Sequence, residues 1–466
     1  MIHSWSRYPS TVTDPNRFPK GFLWGAATSA YQVEGSPLND GAGPNIWHRF
    51  SRLPGKTADG ATGDIACDHY NRYREDLDLM DAIGLSSYRF SIAWARILPD
   101  GLGRVNAKGL SFYDRLVDEL LEREIVPFAT LYHWDLPLAL EDKGGWLNED
   151  VPNWFGEFAN LCFRTYGDRI PFWVTINEPA VIMEKAYVLG SYAPGHRNPA
   201  EAPVVARNLL RAHGIGVQCA RSATKGQVGI AVNLQPKHPA SDSPADAAAA
   251  RRADAFRNLQ FLDAVLLGHS PEELPVMFGE TWRPLTSADL SLIHQPIDFV
   301  GINYYTRVVV EDDAEALPTR AEPIAVPDAQ RTLMGWEVYP EGLKEVLCGL
   351  TQRYGKIPLY VTENGAAFKD PVASDGEIVR DRERVTFLRD HLRKALEARA
   401  AGADLRGYFV WSLLDNFEWN SGYARPFGLV QVDFVTQRRT VKESGQYYSE
   451  VIRTLGANLS DGKGKG

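Results

Sequence analysis

Two glutamates, Glu178 and Glu363, are the residues of this chain whose type and position best suit them to act together. Each closes a short run of β-branched and aromatic residues, and each is followed by residues typical of turns. A pair of carboxyl groups can divide one reaction, because a protonated acid donates a proton to a leaving oxygen while an ionised carboxylate attacks a carbon atom. The sequence therefore predicts chemistry based on a general acid and a carboxylate nucleophile.

Other polar and aromatic residues stand where similar runs end. Tryptophan faces suit the apolar face of a pyranose ring, and amide and imidazole groups match its hydroxyls. Two carboxyl groups beside such a surface are what the hydrolysis of a glycosidic bond requires. The second run carries Arg89 and the last carries Trp411, and the other residues of this kind close a run or follow it in a loop: His133, Trp134, Asn177, Asn303, Tyr305, Glu418 and Trp419.

The elements that must position these residues alternate along the chain. Eight short apolar runs are separated by longer stretches with helical periodicity, such as Asp68–Ile83, Leu110–Arg123, Ala253–Leu267 and Arg384–Ala398. This alternation predicts the α/β class, as a single (β/α)8 TIM barrel with elaborated βα loops. Catalytic groups of such barrels come from the C-terminal ends of several strands, so the two glutamates are expected to face one pocket from opposite sides. The eight predicted strands are Phe22–Ala26, Tyr88–Trp94, Val126–Trp134, Phe172–Asn177, Val228–Leu234, Ile297–Tyr305, Leu359–Glu363 and Leu405–Ser412.

The chain shows no break in composition that would divide it into domains. Residues 1–454 are therefore predicted to form one catalytic barrel, and the Gly- and Lys-rich residues 455–466 a flexible C-terminal tail. Two stretches rich in Pro, Asp and Ala, Ala193–Pro203 and Glu311–Arg331, are predicted to be loops at the mouth of the barrel.

Composition and charge exclude several classes of partner. The net charge is −9 and the basic residues are scattered, which argues against nucleic acid. Met1–Lys20 contains no apolar stretch of 7–15 residues, and no window of about 18 apolar residues occurs elsewhere, so we predict neither a signal peptide nor a membrane span. The four cysteines form no CxxC pair, and the ten histidines show no metal-ligand spacing. We therefore predict a cytoplasmic protein without disulfides, metal or other cofactor; its oligomeric state stays undecided.

Two motifs carry a resemblance to a known family. Thr175-Ile176-Asn177-Glu178-Pro179 and Val361-Thr362-Glu363-Asn364-Gly365 closely resemble the acid/base and nucleophile signatures of glycoside hydrolase family one, the β-glucosidase family. The likeness runs in order from about residue 17 to 454, and so covers the whole predicted barrel. Its further motifs are Phe22-Leu23-Trp24-Gly25, Tyr31-Gln32-Val33-Glu34-Gly35, Tyr88-Arg89-Phe90-Ser91, Tyr132-His133-Trp134-Asp135-Leu136-Pro137 and the stretch from Trp411 to Trp419.

The resemblance implies a retaining β-glycosidase that acts on terminal, unphosphorylated β-D-glycosyl residues of a small glycoside or oligosaccharide. It implies β-glucosidase activity with β-galactosidase or β-fucosidase side activity, Glu178 as acid/base and Glu363 as nucleophile. Arg89, Tyr305 and Asn303 are expected to support the nucleophile. The expected substrate contacts are Gln32, His133, Trp134, Asn177, Trp336, Trp411, Glu418, Trp419 and Phe427.

Three other functions would use parts of the same set of residues. A non-catalytic sugar-binding barrel would lack one carboxylate, and both are present. The phosphoglycosidase branch of the family usually carries Ser where this chain has Glu418, whose charge would repel a phosphate. A transglycosidase would use the same two carboxylates and stays open as an alternative.

The chain departs from the family pattern at three positions. Ala180 stands where Trp is common, Pro426 where a basic residue is common, and Gln431 where an aromatic one often stands. Because Ala180 lies two residues beyond the acid/base, it is expected to face the leaving group and to leave that side of the site wider. Pro426 and Gln431 are expected to alter the rim.

Overall fold

Eight parallel strands close into a barrel at the centre of the computed structural model, which describes residues 14, 16–371 and 378–459. Each strand pairs with its neighbours in sequence, and the first pairs with the eighth. The predicted (β/α)8 barrel and all eight predicted strands are confirmed; the largest difference is at the second strand, which ends at Ser91 rather than Trp94. The strands are β1 Leu23–Ala27, β2 Ser87–Ser91, β3 Val126–Tyr132, β4 Phe172–Asn177, β5 Gln227–Asn233, β6 Phe299–Asn303, β7 Leu359–Asn364 and β8 Leu405–Trp411.

Helices connect the strands and cover the outside of the barrel. Their apolar faces pack on the strands, as the helical periodicity predicts. The predicted helix Ala253–Leu267 is longer and is interrupted by a π-helical segment. The α-helices are Ala30–Val33, Ile46–Phe50, His69–Ile83, Trp94–Ile97, Ala107–Glu122, Leu138–Glu141, Val151–Tyr166, Pro179–Val181, Ala202–Ala223, Pro244–Asp254, Gln260–Leu266, Glu273–Phe278, Ser287–Ile293, Glu341–Tyr354, Arg382–Ala400 and Glu443–Thr454, and the π-helices are Ile182–Val188 and Ala255–Leu259.

Aromatic rings fill the interior of the barrel. Phe128 of β3 lies at its centre, with ring centroids 5.1 Å from Phe172, 5.4 Å from Phe299, 5.6 Å from Tyr360 and 5.1 Å from Phe409. These five side chains are fully buried or nearly so. Because they close the barrel from within, a ligand can enter only at the carboxyl ends of the strands.

Two small sheets lie outside the barrel. One joins Lys237–Pro239, Val308–Asp312 and Ala321–Ile324, and the other pairs Val430–Val432 with Arg439–Val441. The prediction that Glu311–Arg331 is only a loop is therefore wrong, because backbone pairing across a hairpin orders part of it as strands. The predicted loop Ala193–Pro203 likewise includes a 3-10 turn and the start of the helix Ala202–Ala223.

The predicted start of the flexible tail, at residue 455, is too early in the chain. Residues 455–459 pack on the barrel: Ala457–Leu459 forms a 3-10 turn, Leu459 is buried, and its carbonyl accepts a hydrogen bond from Arg393 Nε at 2.6 Å. Residues 460–466 lie outside the described residues, and the prediction for them stays a prediction.

The four cysteines are free thiols. Cys67 and Cys162 are buried, and burial raises the pKa of each thiol well above its ordinary value. Across residues 14, 16–371 and 378–459, no helix has both the length and the apolar character needed to cross a membrane.

Candidate active site

A cavity of about 600 Å³ opens at the carboxyl ends of the barrel strands. Ten of the fourteen predicted site residues line it, among them both glutamates. The other four, Arg89, Asn177, Asn303 and Gln32, are completely buried and lie behind the lining. The lining members of the predicted set are His133, Trp134, Glu178, Tyr305, Trp336, Glu363, Trp411, Glu418, Trp419 and Phe427.

Glu363, near the end of β7, receives a donor on each carboxylate oxygen. Arg89 Nη1 donates to Oε1 at 2.5 Å, and the Tyr305 hydroxyl donates to Oε2 at 2.6 Å. Arg89 is fully buried and Glu363 is 3% exposed, so this ion pair is shielded from water. Charge-assisted hydrogen bonds of this kind are short and directional. Both oxygens of Glu363 are therefore held in fixed positions.

A glycine is required two residues beyond Glu363. A Cβ added to Gly365 would stand 1.8 Å from the carbonyl oxygen of Trp411. Any side chain at this position would thus push the end of β7 away from β8. The Glu-Asn-Gly sequence therefore reflects the close approach of the two strands that carry Glu363 and Trp411.

Glu178 follows β4 in the left-handed region, with φ of 51°. Its Oε1 accepts hydrogen bonds from Asn303 Nδ2 at 2.6 Å and from Asn233 Nδ2 at 3.3 Å. Burial, together with the negative charge of Glu363, raises the pKa of Glu178 from its ordinary value to about 7. At neutral pH this carboxyl group holds its proton for a large part of the time. Glu178 therefore has the property that a general acid needs, while Glu363 is held by an arginine and a tyrosine.

Asn303 does not support Glu363, and that prediction is wrong. Its amide nitrogen donates to Glu178 and, at 3.0 Å, to Asn177 Oδ1, while its own oxygen accepts from Thr362 Oγ1 at 2.7 Å. Both oxygens of Glu363 already have strong donors, whereas the Glu178 oxygen faces the amide of Asn303. Asn303 therefore holds the carboxyl group of Glu178.

One continuous chain of hydrogen bonds joins the two glutamates. Arg89 donates to Glu363 and, through Nη2, to Asn177 Oδ1 at 2.7 Å. Asn177 Oδ1 in turn accepts from Asn303, which donates to Glu178. Because each member is buried and bonded to the next, the positions of the two carboxyl groups are coupled.

His133, at the end of β3, is neutral and has one free nitrogen. Burial first, and then the charge of Arg89, lower the pKa of His133 well below its ordinary value. Asn177 Nδ2 donates to His133 Nε2 at 3.1 Å, so the proton of the ring is on Nδ1. That buried nitrogen has no hydrogen-bond partner in the part of the chain that the structure describes. His133 itself lines the cavity, so its ring is placed to contact a ligand.

Glu418 is a third buried acid at the same end of the cavity. The indole N–H of Trp411 donates to it, and Gln32 Nε2 donates to Oε2 at 3.4 Å. Burial raises the pKa of Glu418 to about 8, and the charges of Glu363 and Glu178 act in the same direction. Gln32 is itself held by the carbonyl of Phe417 at 3.0 Å. A carboxyl group with so few donors is suited to bind ligand hydroxyls.

Aromatic rings form the walls of the cavity. On one side the Trp419 ring centroid lies 4.8 Å from Trp134, and the imidazole of His133 stacks on Trp411 at 5.9 Å. On the other side Trp336 lies 5.2 Å from Tyr305 and 6.3 Å from Phe427. The cavity thus offers flat apolar surfaces beside its acids.

The three departures from the family pattern lie away from the lining. Ala180 is 4% exposed and packs in the apolar core, and its neighbour Val181 lines the cavity instead. The prediction that Ala180 faces the leaving group is therefore wrong. The Pro426 carbonyl accepts from Arg384 Nη2 at 2.6 Å, and Gln431 lies in the antiparallel strand pair outside the barrel. Neither lines the cavity.

Sequence reasoning missed part of the site. Asn233 ends β5 and donates to Glu178, so the strand-end rule that selected Asn177 could also have found it. Glu184, Lys237 and Arg257 also line the cavity, but they come from a helix, an outer strand and a second helix, and their sequence surroundings give no signal. Among the described residues, no group of three or more His, Cys, Asp or Glu side chains is placed to bind a metal ion.

Comparison with known proteins gives consistent matches over almost the whole chain. The family model described as glycosyl hydrolase family 1 matches residues 14–457. Beta-glucosidase A of Thermotoga maritima is 47% identical over 443 residues, which are 94% of this chain and 98% of that protein. The 1,4-beta-D-glucan glucohydrolase of Thermotoga neapolitana is 47% identical over 443 residues, 94% of this chain and 99% of that protein.

Solved structures agree with the sequence matches. The family 1 β-glucosidase from Thermotoga maritima superposes with a TM-score of 0.92 at 46% identity, covering 94% of this chain and 98% of that one. The same enzyme in complex with isofagomine lactam gives a TM-score of 0.91 at 46% identity, covering 94% and 99%. The similarity therefore includes the barrel and its connecting loops.

Proposed function

Since this chain belongs to glycosyl hydrolase family 1, we propose that it is a retaining β-glucosidase. Its substrates are terminal, unphosphorylated β-D-glucosyl residues of small glycosides and oligosaccharides. One observation carries the proposal: two buried carboxyl groups share one cavity, one held by Arg89 and Tyr305 and the other, Glu178, with its pKa raised to about 7. The names of the relatives, beta-glucosidase A and 1,4-beta-D-glucan glucohydrolase, support glucose as the sugar and β-1,4-glucans as one source of substrate.

In the first step Glu363 attacks the anomeric carbon. The bond from that carbon to the glycosidic oxygen breaks, and Glu178 gives its proton to the departing oxygen. The products of this step are an alcohol and a glucosyl ester of Glu363. Arg89 and Tyr305 hold the attacking carboxylate in place until it reacts.

In the second step Glu178 acts as a base instead of an acid. Esterification removes the negative charge of Glu363, and with it one of the causes that raise the pKa of Glu178. Glu178, now a carboxylate, takes a proton from a water molecule, and that water attacks the anomeric carbon. The ester bond to Glu363 breaks, which regenerates the Glu363 carboxylate and leaves Glu178 protonated for the next cycle. Two displacements at one carbon give glucose with the β configuration of the substrate.

The inner end of the cavity is proposed to hold the sugar. Hydroxyls are expected on Glu418, on His133 and on the amides of Gln32 and Asn177. Because these groups are fixed by other bonds, binding need not order them. Trp411 is proposed as the stacking floor, with Trp134, Trp419 and Phe427 as walls and Trp336 at the border with the leaving-group side. The β-galactosidase or β-fucosidase side activity and a location in the cytoplasm, which four free thiols support, are proposed as well.

The stereochemistry of the reaction tests the mechanism. Double displacement requires the two carboxyl groups to be about 5–5.5 Å apart and releases the β anomer first. NMR of the first product from 4-nitrophenyl β-D-glucoside distinguishes the anomers before they equilibrate. Release of the α anomer first would contradict the proposal. Adding an alcohol to the same reaction measures transglycosylation, since a transglycosidase yields mainly the new glucoside and a hydrolase mainly glucose.

A further inference from the structure

The cavity has a cationic rim, which we define as Lys185, Lys237, Arg257, Arg307 and Arg331. Two of the five cations are neutralised. Arg257 pairs with Glu184, and Arg307 makes a bidentate pair with Glu337, with both N–O distances 3.0 Å. The rim thus sets five positive groups against two negative ones, on a chain whose net charge is −9.

Lys185, Lys237 and Arg331 form no ion pair with any carboxylate of the described residues. Lys237 Nζ donates to Gln235 Oε1 at 3.0 Å, and Arg331 donates to the carbonyls of Gly335 and Val326 at 3.1 and 2.9 Å. These acceptors are neutral. The carboxylate of Glu184 attracts both Lys185 and Lys237, but it also pairs directly with Arg257, so three cations share this one carboxylate. An anion bound between them would gain charge-assisted hydrogen bonds.

The surroundings of Lys237 make its positive charge unfavourable. Burial, and then the charge of the neighbouring Arg257, lower the pKa of Lys237 to about 8, although Glu184 and Asp254 oppose this. A ligand anion beside Lys237 would offset this cost. The position of Lys237 therefore suits binding better than it suits the stability of the free protein.

The cationic rim lies on the side of the cavity that receives the leaving group. Asn233 links the two, because its amide nitrogen donates to Glu178 while its oxygen accepts from Arg257 Nη2 at 2.8 Å. Because Glu178 is the group proposed to protonate the departing oxygen, the rim surrounds the leaving group and not the sugar bound near Glu418. Apolar side chains line the same region, namely Pro323, Ile324, Val326, Met334 and Trp336.

We infer that the leaving-group side of the cavity binds an aglycone that joins an apolar body to an anionic group, a carboxylate in the first place. The inference rests on the proposed β-glucosidase function and adds a substrate class to it. Trp336 and its apolar neighbours contact the body, and Lys237, Lys185 and Arg331 contact the anion. A β-glucoside of an aromatic acid has this chemistry.

Matched substrates test the inference. The value of kcat/KM is measured for 4-carboxyphenyl β-D-glucoside and for its neutral analogue, 4-carbamoylphenyl β-D-glucoside. The neutral phenol is the slightly better leaving group, because an amide withdraws electrons more strongly than a carboxylate. We expect the wild type to favour the anionic substrate nevertheless. A 4-sulfophenyl β-D-glucoside shows whether another oxyanion is accepted equally.

Variants that remove positive charges from the rim show which residues cause the preference for the anionic substrate. In Lys237→Met with Lys185→Met, the anionic-to-neutral ratio should fall on the order of tenfold, the size expected for losing charge-assisted bonds. Both substrates are measured on one preparation, so the ratio does not depend on the fraction of folded enzyme. The matched control is Lys225→Met: Lys225 is exposed and precedes β5 at the opposite end of the barrel, and its ratio should equal that of the wild type. Salt should lower the wild-type ratio.

Failure of this inference can be told apart from failure of the proposed function. If the wild type hydrolyses 4-nitrophenyl β-D-glucoside but prefers the neutral substrate, or if the double variant keeps the wild-type ratio, the anionic subsite is refuted while the function stands. If 4-nitrophenyl β-D-glucoside is not hydrolysed at all, the function itself is refuted.

Discussion

The inner end of the cavity and its cationic rim satisfy their polar groups in opposite ways. Behind the inner end, Arg89, Asn177 and Asn303 are completely buried, and each bonds to another member of the chain that joins the two glutamates. At the rim, Lys185 and Lys237 are only partly buried and make no direct ion pair within the described residues, although both lie near Glu184. The polar groups behind the inner end are thus hydrogen-bonded before substrate binds, whereas the two lysines of the rim remain able to pair with a ligand. Changes at the inner end should cost catalysis, and changes at the rim should alter selectivity.

The largest effect is expected from Glu363→Ala. Without a nucleophile, kcat/KM for 4-nitrophenyl β-D-glucoside should fall by roughly 10⁴-fold or more. Removing the side chain leaves room on that face of the sugar, so added azide should restore turnover and give the α-glucosyl azide. The product is identified by NMR. A β-glucosyl azide from this variant would show that Glu363 is not the nucleophile.

A smaller and substrate-dependent loss is expected from Glu178→Ala. Cellobiose needs a proton on its departing oxygen, so its kcat/KM should fall by about 10²- to 10⁴-fold, whereas a 2,4-dinitrophenyl glucoside should lose much less. Azide should here give the β-glucosyl azide, because Glu363 still forms the ester. The pair of azide products thus separates the two glutamates by role. Equal losses for both substrates would contradict the assignment.

The inner end was largely predictable, and the reason is geometric. Parallel strands of a barrel end at one edge, so polar residues that close apolar runs must meet there, as Glu178, Glu363 and His133 do. Asn303 was placed correctly but given the wrong partner, because the sequence does not say which carboxyl group its amide faces. Only the hydrogen bonds of the folded barrel decide that.

The rim could not be predicted in the same way. Lys185 comes from a π-helix after β4, Lys237 from an outer strand after β5, and Arg331 from the connection that follows Ala321–Ile324. They are separated by long stretches of sequence and share no periodicity. Their approach depends on how the loops pack, and the same packing buries Ala180, which was expected to face the leaving group.

The pH profile gives a moderate effect that links the two regions. Protonated Glu178 is the active form, and the fraction protonated falls as the pH rises through about 7, so kcat/KM should fall on that alkaline side. The hydrogen bond from Asn303 lowers the pKa of Glu178, and that from Asn233 lowers it less. Asn303→Ala should therefore move the alkaline limb to higher pH, and Asn233→Ala should move it in the same direction by less. A limb that moves to lower pH in either variant would exclude this role.

The smallest effect is expected where two adjacent residues face different regions. Val181 lines the cavity, whereas Ala180 is 4% exposed in the apolar core. Val181→Phe should narrow the leaving-group side and lower kcat/KM a few-fold for bulky aglycones relative to methyl β-D-glucoside. It should not change the ranking of glucosides over galactosides, because that ranking depends on Glu418 and His133 at the inner end.

Ala180→Trp should instead overpack the core and destabilise the fold by about 1–3 kcal/mol, seen as a lower midpoint in urea. An Ala180→Trp variant with a changed aglycone ranking and a wild-type urea midpoint would show that the new side chain lies in the cavity. In that case the assignment of Ala180 to the core and of Val181 to the cavity would be wrong.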